Sequence, residues 1–252
     1  MLNFNDFLEN EDIITEGIHD KGIFKAFYLA GGPGSGKSWV AAKTLEGSGL
    51  KVINSDIGFE NYAKRAGLNL KQMGDFTKDQ TKLKDELRRR AKRGTQTMGQ
   101  HAVDGRLGLI IDSTARDADK IESAAAGLRY LGYDTYMVFV NTTLEVALKR
   151  NEERPRSVPE PIVRESHRQI QNQIPRLIRM FGAKNFIEVH NNEYREDINV
   201  KVYKEIRKLA NSKITSQIAK DWIENEKALI RARNPSGKVD TGFFSRFRSR
   251  YF

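Results

Sequence analysis

A chain of 252 residues, 38% hydrophobic and 30% charged, suits one α/β domain with a small appendage, and no run approaches the roughly 20 apolar residues that cross a bilayer. Cysteine is absent, which excludes disulfide scaffolds and cysteine-ligated zinc and makes a reducing cytosol the simplest home. The formal net charge of +10 favours polyanionic partners.

The first residues, Met1–Asp12, are acidic and lack the basic start of a secretory signal; they read as a short amphipathic arm, taken here as residues 1–22. The apolar run Ile23–Ala30 predicts a buried strand. It leads into Gly31-Gly32-Pro33-Gly34-Ser35-Gly36-Lys37-Ser38, a complete G-x-x-x-x-G-K-S phosphate-binding loop, and Ser38–Leu45 then reads as a helix. Glycines let successive N–H groups point at one anion, at the positive end of that helix. Gly32, Pro33, Gly34, Ser35 and Gly36 therefore form the expected cradle for ATP. Lys37 is placed to reach its β/γ-phosphates and Ser38 to hold Mg²⁺.

Leu50–Asn54 predicts a second strand ending in Ser55-Asp56, followed by a polar helical stretch from about Asn61 to Arg93, broken near Gly67 and Gly74. Lys78, Lys82, Lys84, Arg88, Arg89, Arg90, Lys92 and Arg93 make its second half strongly basic. Such a helix suits either nucleic-acid contact or a solvated face. Leu107–Asp112 is a third strand, apolar as a parallel strand covered on both faces should be. A helix over Asp119–Leu131 and a strand over Thr135–Val140 follow, then a helix over Thr143–Glu153 and a long one over Ile162–Phe181, irregular near Pro175. Asn185–Val189 predicts the fifth strand, and helices near Ile198–Asn211 and Thr215–Ala232 close a domain of residues 23–232. From Arg231 the chain reads as a linker into a basic tail, 233–252, where Phe243–Phe252 interleaves arginine with aromatics. That tail suits stacking on bases as well as packing back on the domain. Strands alternating with helices give a doubly wound parallel sheet, with ligands at the carboxyl ends of its strands.

Three features past the loop can carry chemistry. Asp56, just beyond the second strand, is either a base for an attacking hydroxyl or a helix cap. Asp112, ending the third strand, has the position of a Walker-B carboxylate that organises Mg²⁺, or of a helix cap or turn residue; Arg116 beyond it can pair with Asp112 or reach a phosphate. Arg150, Arg154 and Arg156 cluster on a helix end and a proline-bearing turn, about 149–160, as a lid carrying positive charge or as a solvated cationic helix end.

The loop, then Ile53-Asn54-Ser55-Asp56, Ile111-Asp112-Ser113-Thr114, and Leu148-Lys149-Arg150-Asn151 with Arg154 and Ser157-Val158-Pro159, resemble the kinase domain of bacteriophage-type polynucleotide 5′-hydroxyl kinases. The zeta-toxin kinases share the frame. The likeness spans about Phe24–Val189. It implies a P-loop NTPase fold of nucleotide-kinase type, a three-layer α/β/α sandwich on a five-stranded parallel sheet with a helical C-terminal extension. It further implies Asp56 as general base, Lys37 and Arg150 as phosphate clamps, and a cytoplasmic location, the host cytoplasm for a phage-encoded chain. One departure stands out: the family often has an arginine close behind the base aspartate, contacting the acceptor phosphate, and here Ile57-Gly58-Phe59-Glu60 follows.

The leading expectation is an ATP- and Mg²⁺-dependent kinase acting on the 5′-hydroxyl of a nucleic-acid end. A zeta-toxin-like kinase of a small nucleotide sugar keeps the same phosphate machinery. A nucleic-acid-binding ATPase or virion accessory protein is the alternative from another class.

Overall fold

The structure, a computed structural model, describes residues 18, 20, 22–44, 49–153, 158–193 and 196–233. The N-terminal arm's first seventeen residues and the basic aromatic tail beyond Arg233 lie outside the described residues, as do Arg154 and Arg156. In chain order the elements are β1 Lys25–Ala30, α1 Lys37–Thr44, β2 Lys51–Ile53, α2 Ser55–Arg65 and α3 Lys78–Asp104. Then come β3 Leu109–Asp112, α4 Ala118–Tyr130, β4 Asp134–Asn141, α5 Leu144–Glu152, α6 Glu160–Phe181, β5 Phe186–His190, α7 Glu196–Ala210 and α8 Gln217–Arg233.

Successive side chains on β1 point to opposite faces, and each face meets its own apolar layer. Phe27 and Leu29 pack with Val40 of α1 and with Val202 and Ile206 of α7. Ala26, Tyr28 and Ala30 pack with Ile121 and Leu128 of α4, Ile170 and Leu177 of α6 and Ala219 of α8. All five strands pair in parallel, in the order β2-β3-β1-β4-β5. The result is the expected three-layer P-loop kinase-like fold. Its central strand, β1, feeds the glycine loop into α1, and the order reverses between β1 and β3, so the cleft opens at their carboxyl ends.

Three local expectations change. The polar stretch after β2 begins as helix already at Ser55, reverses through Gly67 (φ +70°) and a 3₁₀ turn at Leu70–Asp75, and resumes as α3, a 27-residue helix. Thr77 caps it through a reciprocal capping box with Gln80. It continues through Gly94 and Gly99 because its inner face is held: Gly99 lies against Ile53 and Ala102 is in the core. Pro175 does not divide α6, which runs unbroken to Phe181. A proline removes one ladder bond, and the buried series Val163, Ile170, Leu177 and Phe181 keeps the helix on the sheet. Helix α8 extends to Arg233, past the expected linker start at Arg231.

Candidate active site

The phosphate-binding loop is wedged between two other parts of the domain. Gly34 and Gly36 have φ of +78° and +86°, which favour glycine. A Cβ at Gly34 would run into the backbone carbonyl of Ala147 in α5, and one at Gly36 into the side-chain amide of Asn191, just past β5. Asn191 is buried; its Nδ2 donates to the Ser35 carbonyl at 2.7 Å, and its own N–H donates to the Asn141 carbonyl at 2.8 Å. The loop is thereby tied to the ends of β4 and β5. Lys37 Nζ donates to the Gly31 carbonyl at 3.0 Å and lies 3.9 Å from Asp112 Oδ1. Ser38 is exposed at the opening of α1.

Asn54 joins the two acidic positions. It is the N-cap of α2, accepting from the Asp56 N–H at 2.8 Å, while its Nδ2 donates to Asp112 Oδ2 at 2.7 Å. The cap role considered for Asp56 therefore falls to Asn54. The Asp56 carboxylate stays in the first turn with its side chain 65% exposed. Asp112 is not a cap either: it closes β3, and Asp117 caps α4 by accepting from the Lys120 N–H at 3.2 Å. Asp112 Oδ1 is buried and accepts no hydrogen bond among the described residues. Burial raises its pKa above the ordinary carboxylate value; the Lys37 ammonium opposes that shift, and the nearby negative charge of Asp56 adds to it. Asp56 thus sits at the mouth of the cleft, within electrostatic reach of Asp112.

Arg150 is on the last turn of α5. Its guanidinium donates to the Asn191 carbonyl at 2.6 Å and the Asn192 carbonyl at 3.3 Å, beside Gly36. Its neighbour Asn151 is buried and makes a two-bond bracket with Val158: Nδ2 donates to the Val158 carbonyl at 2.7 Å, and Oδ1 accepts from the Val158 N–H at 2.9 Å. The residues on either side of 154–157 are therefore tied to each other. Arg116 is exposed in the turn after β3. With Thr114, Lys120, Gln169, Gln173 and Arg176 it borders a cavity of about 430 Å³ between the start of α4 and α6.

Three residues of this cluster escaped the sequence reading. Asn54 carries a usable signal, an Asn directly before Ser55-Asp56 at a strand-to-helix junction. Asn191 carries a weaker one, a polar pair after the fifth strand. Arg88 carries none, because only the pairing of α3 with α2 brings it to Asp56, 3.4 Å from Nη2 to Oδ1.

Residues 27–177 match the family model described as AAA domain (AAA_33), well over half of the chain. The chain belongs to this AAA domain family. The match runs from β1 into α6, so it takes in the glycine loop, Asn54, Asp56, Asp112 and Arg150, and stops short of Asn191. No curated protein matches the chain by sequence. Among solved structures, the AvrRxo1-ORF1:AvrRxo1-ORF2 structure with sulphate ions is similar at 15% identity and a TM-score of 0.52, covering 84% of this chain and 74% of that one. A gluconokinase from Sinorhizobium meliloti 1021 is similar at 16% identity and TM-score 0.44, covering 75% and 94%. The Pnkp1/Rnl/Hen1 RNA repair complex is similar at 18% identity and TM-score 0.42, covering 61% and 46%. At these identities the likeness is one of fold: this AAA-domain chain has a nucleotide-binding P-loop of kinase-like architecture.

Proposed function

We propose that the chain is an ATP-dependent kinase that transfers the γ-phosphoryl group to a hydroxyl, the 5′-hydroxyl of a polynucleotide end. The observation that carries this reading is the meeting of Lys37, Asp112 and Asp56 at the carboxyl ends of β1, β3 and β2, with Asn54 joining the two acids. A donor phosphate on the loop then has an ammonium on one side and a carboxylate facing solvent on the other, which is the arrangement phosphoryl transfer needs.

The residues also fit a hard cation. Asp112 Oδ1 is a buried carboxylate oxygen that accepts no hydrogen bond among the described residues, and Ser38 opens the helix beside the loop. Ser38 and Asp112 would hold Mg²⁺, which would neutralise charge on the triphosphate. The loop amides orient the triphosphate, and Lys37 exchanges the Gly31 carbonyl for phosphate oxygens. Arg150 and Arg154 bring further positive charge from the α5 end. Asp56 takes the proton of the acceptor hydroxyl as its oxygen bonds to the γ-phosphorus; the bond from that phosphorus to the β–γ bridging oxygen breaks, and ADP leaves.

The test is to incubate the protein with γ-labelled ATP and a panel of 5′-hydroxyl DNA and RNA oligonucleotides, nucleosides and nucleotide sugars. Label is expected on the oligonucleotide 5′ end. Lys37→Ala should abolish nucleotide turnover, whereas Asp56→Asn should bind ATP normally and transfer on the order of 10²- to 10⁴-fold more slowly. Full activity in Asp56→Asn would remove the base assignment. Label on a nucleotide sugar alone would replace the acceptor, and DNA-stimulated hydrolysis with no labelled acceptor would replace the reaction.

A further inference from the structure

Among the described residues, the guanidinium of Arg88 is the group of the basic helix that meets the proposed base. It rests 4.8 Å from the centre of the Phe59 ring, and Phe59 is buried, so the plane of the guanidinium is set by α2. Arg90 lies 5.0 Å over Tyr62, one turn further along α2. These two stacks fasten α3 to α2 through its cations, which leaves the guanidinium edges for polar partners. Among the described residues Arg88 makes one hydrogen bond with its five N–H donors: Nη2 to Asp56 Oδ1 at 3.4 Å, longer than a good charge-assisted bond. Both partners are open to water, with side chains 39% and 65% exposed. Nearby Asp85 is engaged by Lys84 at 3.2 Å, so Asp56 is the acid that Arg88 meets among the described residues.

An exposed ion pair at that distance is weak, while a guanidinium on a phosphate is strong and bidentate. A phosphate brought beside Asp56 would therefore capture Arg88. We propose that Arg88 is an exchangeable acceptor-phosphate ligand: it rests on Asp56 in the free protein and swaps to a phosphate next to the acceptor hydroxyl, which uncovers the Asp56 carboxylate. The acceptor class is then a hydroxyl compound with a phosphate close to that hydroxyl, as at a polynucleotide 5′ end, rather than a neutral alcohol. This rests on the kinase reading above for its catalytic meaning, although the exchange itself is a binding event.

The experiment measures binding, by calorimetry without ATP, of adenosine 3′-monophosphate and of adenosine to the wild type, Arg88→Gln, Arg88→Lys and Asp56→Asn. All four are first checked for native circular dichroism, since Arg88→Gln also removes the guanidinium that rests on Phe59. The wild type should bind the 3′-phosphate tenfold or more tightly than the nucleoside. Arg88→Gln should bring that ratio close to one, and Arg88→Lys should recover part of it. The exchange makes a further demand: Asp56→Asn, which releases Arg88, should bind the 3′-phosphate about two- to fivefold more tightly than the wild type. Equal binding of both compounds by the wild type, a ratio unchanged in Arg88→Gln, or weaker 3′-phosphate binding in Asp56→Asn would each overturn the proposal. If the binding pattern holds while labelled ATP marks no acceptor, the kinase reading falls and the Arg88 site stands.

Discussion

Asp112 is an acid held where water only partly reaches it, and its titration should betray that. Its folded pKa is raised, so its contribution to stability is fully present below the ordinary value of 3.8 and is lost as the pH climbs through the folded value. Asp112→Asn removes a desolvated charge and keeps an acceptor for Asn54. It is therefore expected to melt at a higher temperature than the wild type at pH 7, and the gap should close as the pH falls toward 3.8. Thermal melts across that range check the sign, and the same variant should lose Mg²⁺-dependent nucleotide affinity. Lys37 and Asp112 were legible from sequence because a strand-loop-helix motif and a strand-ending acid fix their own positions. Arg88 was not, since it lies 32 residues beyond Asp56 and reaches it only where α3 folds back on α2.

The α2–α3 pair is the element that brings Arg88 to Asp56. Gly58 lies in the interior of α2, and a Cβ there would sit 3.6 Å from the Cβ of Ala91 on α3, an ordinary contact. Gly58→Ala should therefore stabilise the protein by about 0.5–1 kcal/mol, the usual helix-interior gain over glycine. Gly58→Leu overfills the crossing. It should cost about 1–3 kcal/mol and move Arg88 away from Asp56, which urea melts and 3′-phosphate binding can separate. The extent of α3 was hidden by its own residues. Gly94, Thr95, Thr97 and Gly99 are poor helix formers, and only packing on β2 and the core carries the helix to Asp104. Helix α6 was readable almost to its ends, because its apolar spacing persists on both sides of Pro175.

Across the whole molecule, the two ends of the sheet do different work. The carboxyl ends carry the glycine loop and the acids; the amino ends are closed by a buried ion pair that the apolar first strand concealed. Lys25 is fully buried, donating to Asp134 Oδ2 at 2.7 Å and Ser212 Oγ at 3.0 Å, while Thr215 donates to Asp134 Oδ1 at 2.7 Å. This knot joins β1 and β4 to the link between α7 and α8. Asp134→Ala leaves an unpaired buried ammonium and should cost about 3 kcal/mol, with nucleotide affinity of the folded protein unchanged; denaturant melts and nucleotide titration measure the two separately. The bracket between Asn151 and Val158 has a consequence of its own. Asn151 lies at the end of α5 and Val158 just before α6, so a single amide side chain clamps the end of one helix to the approach of the next.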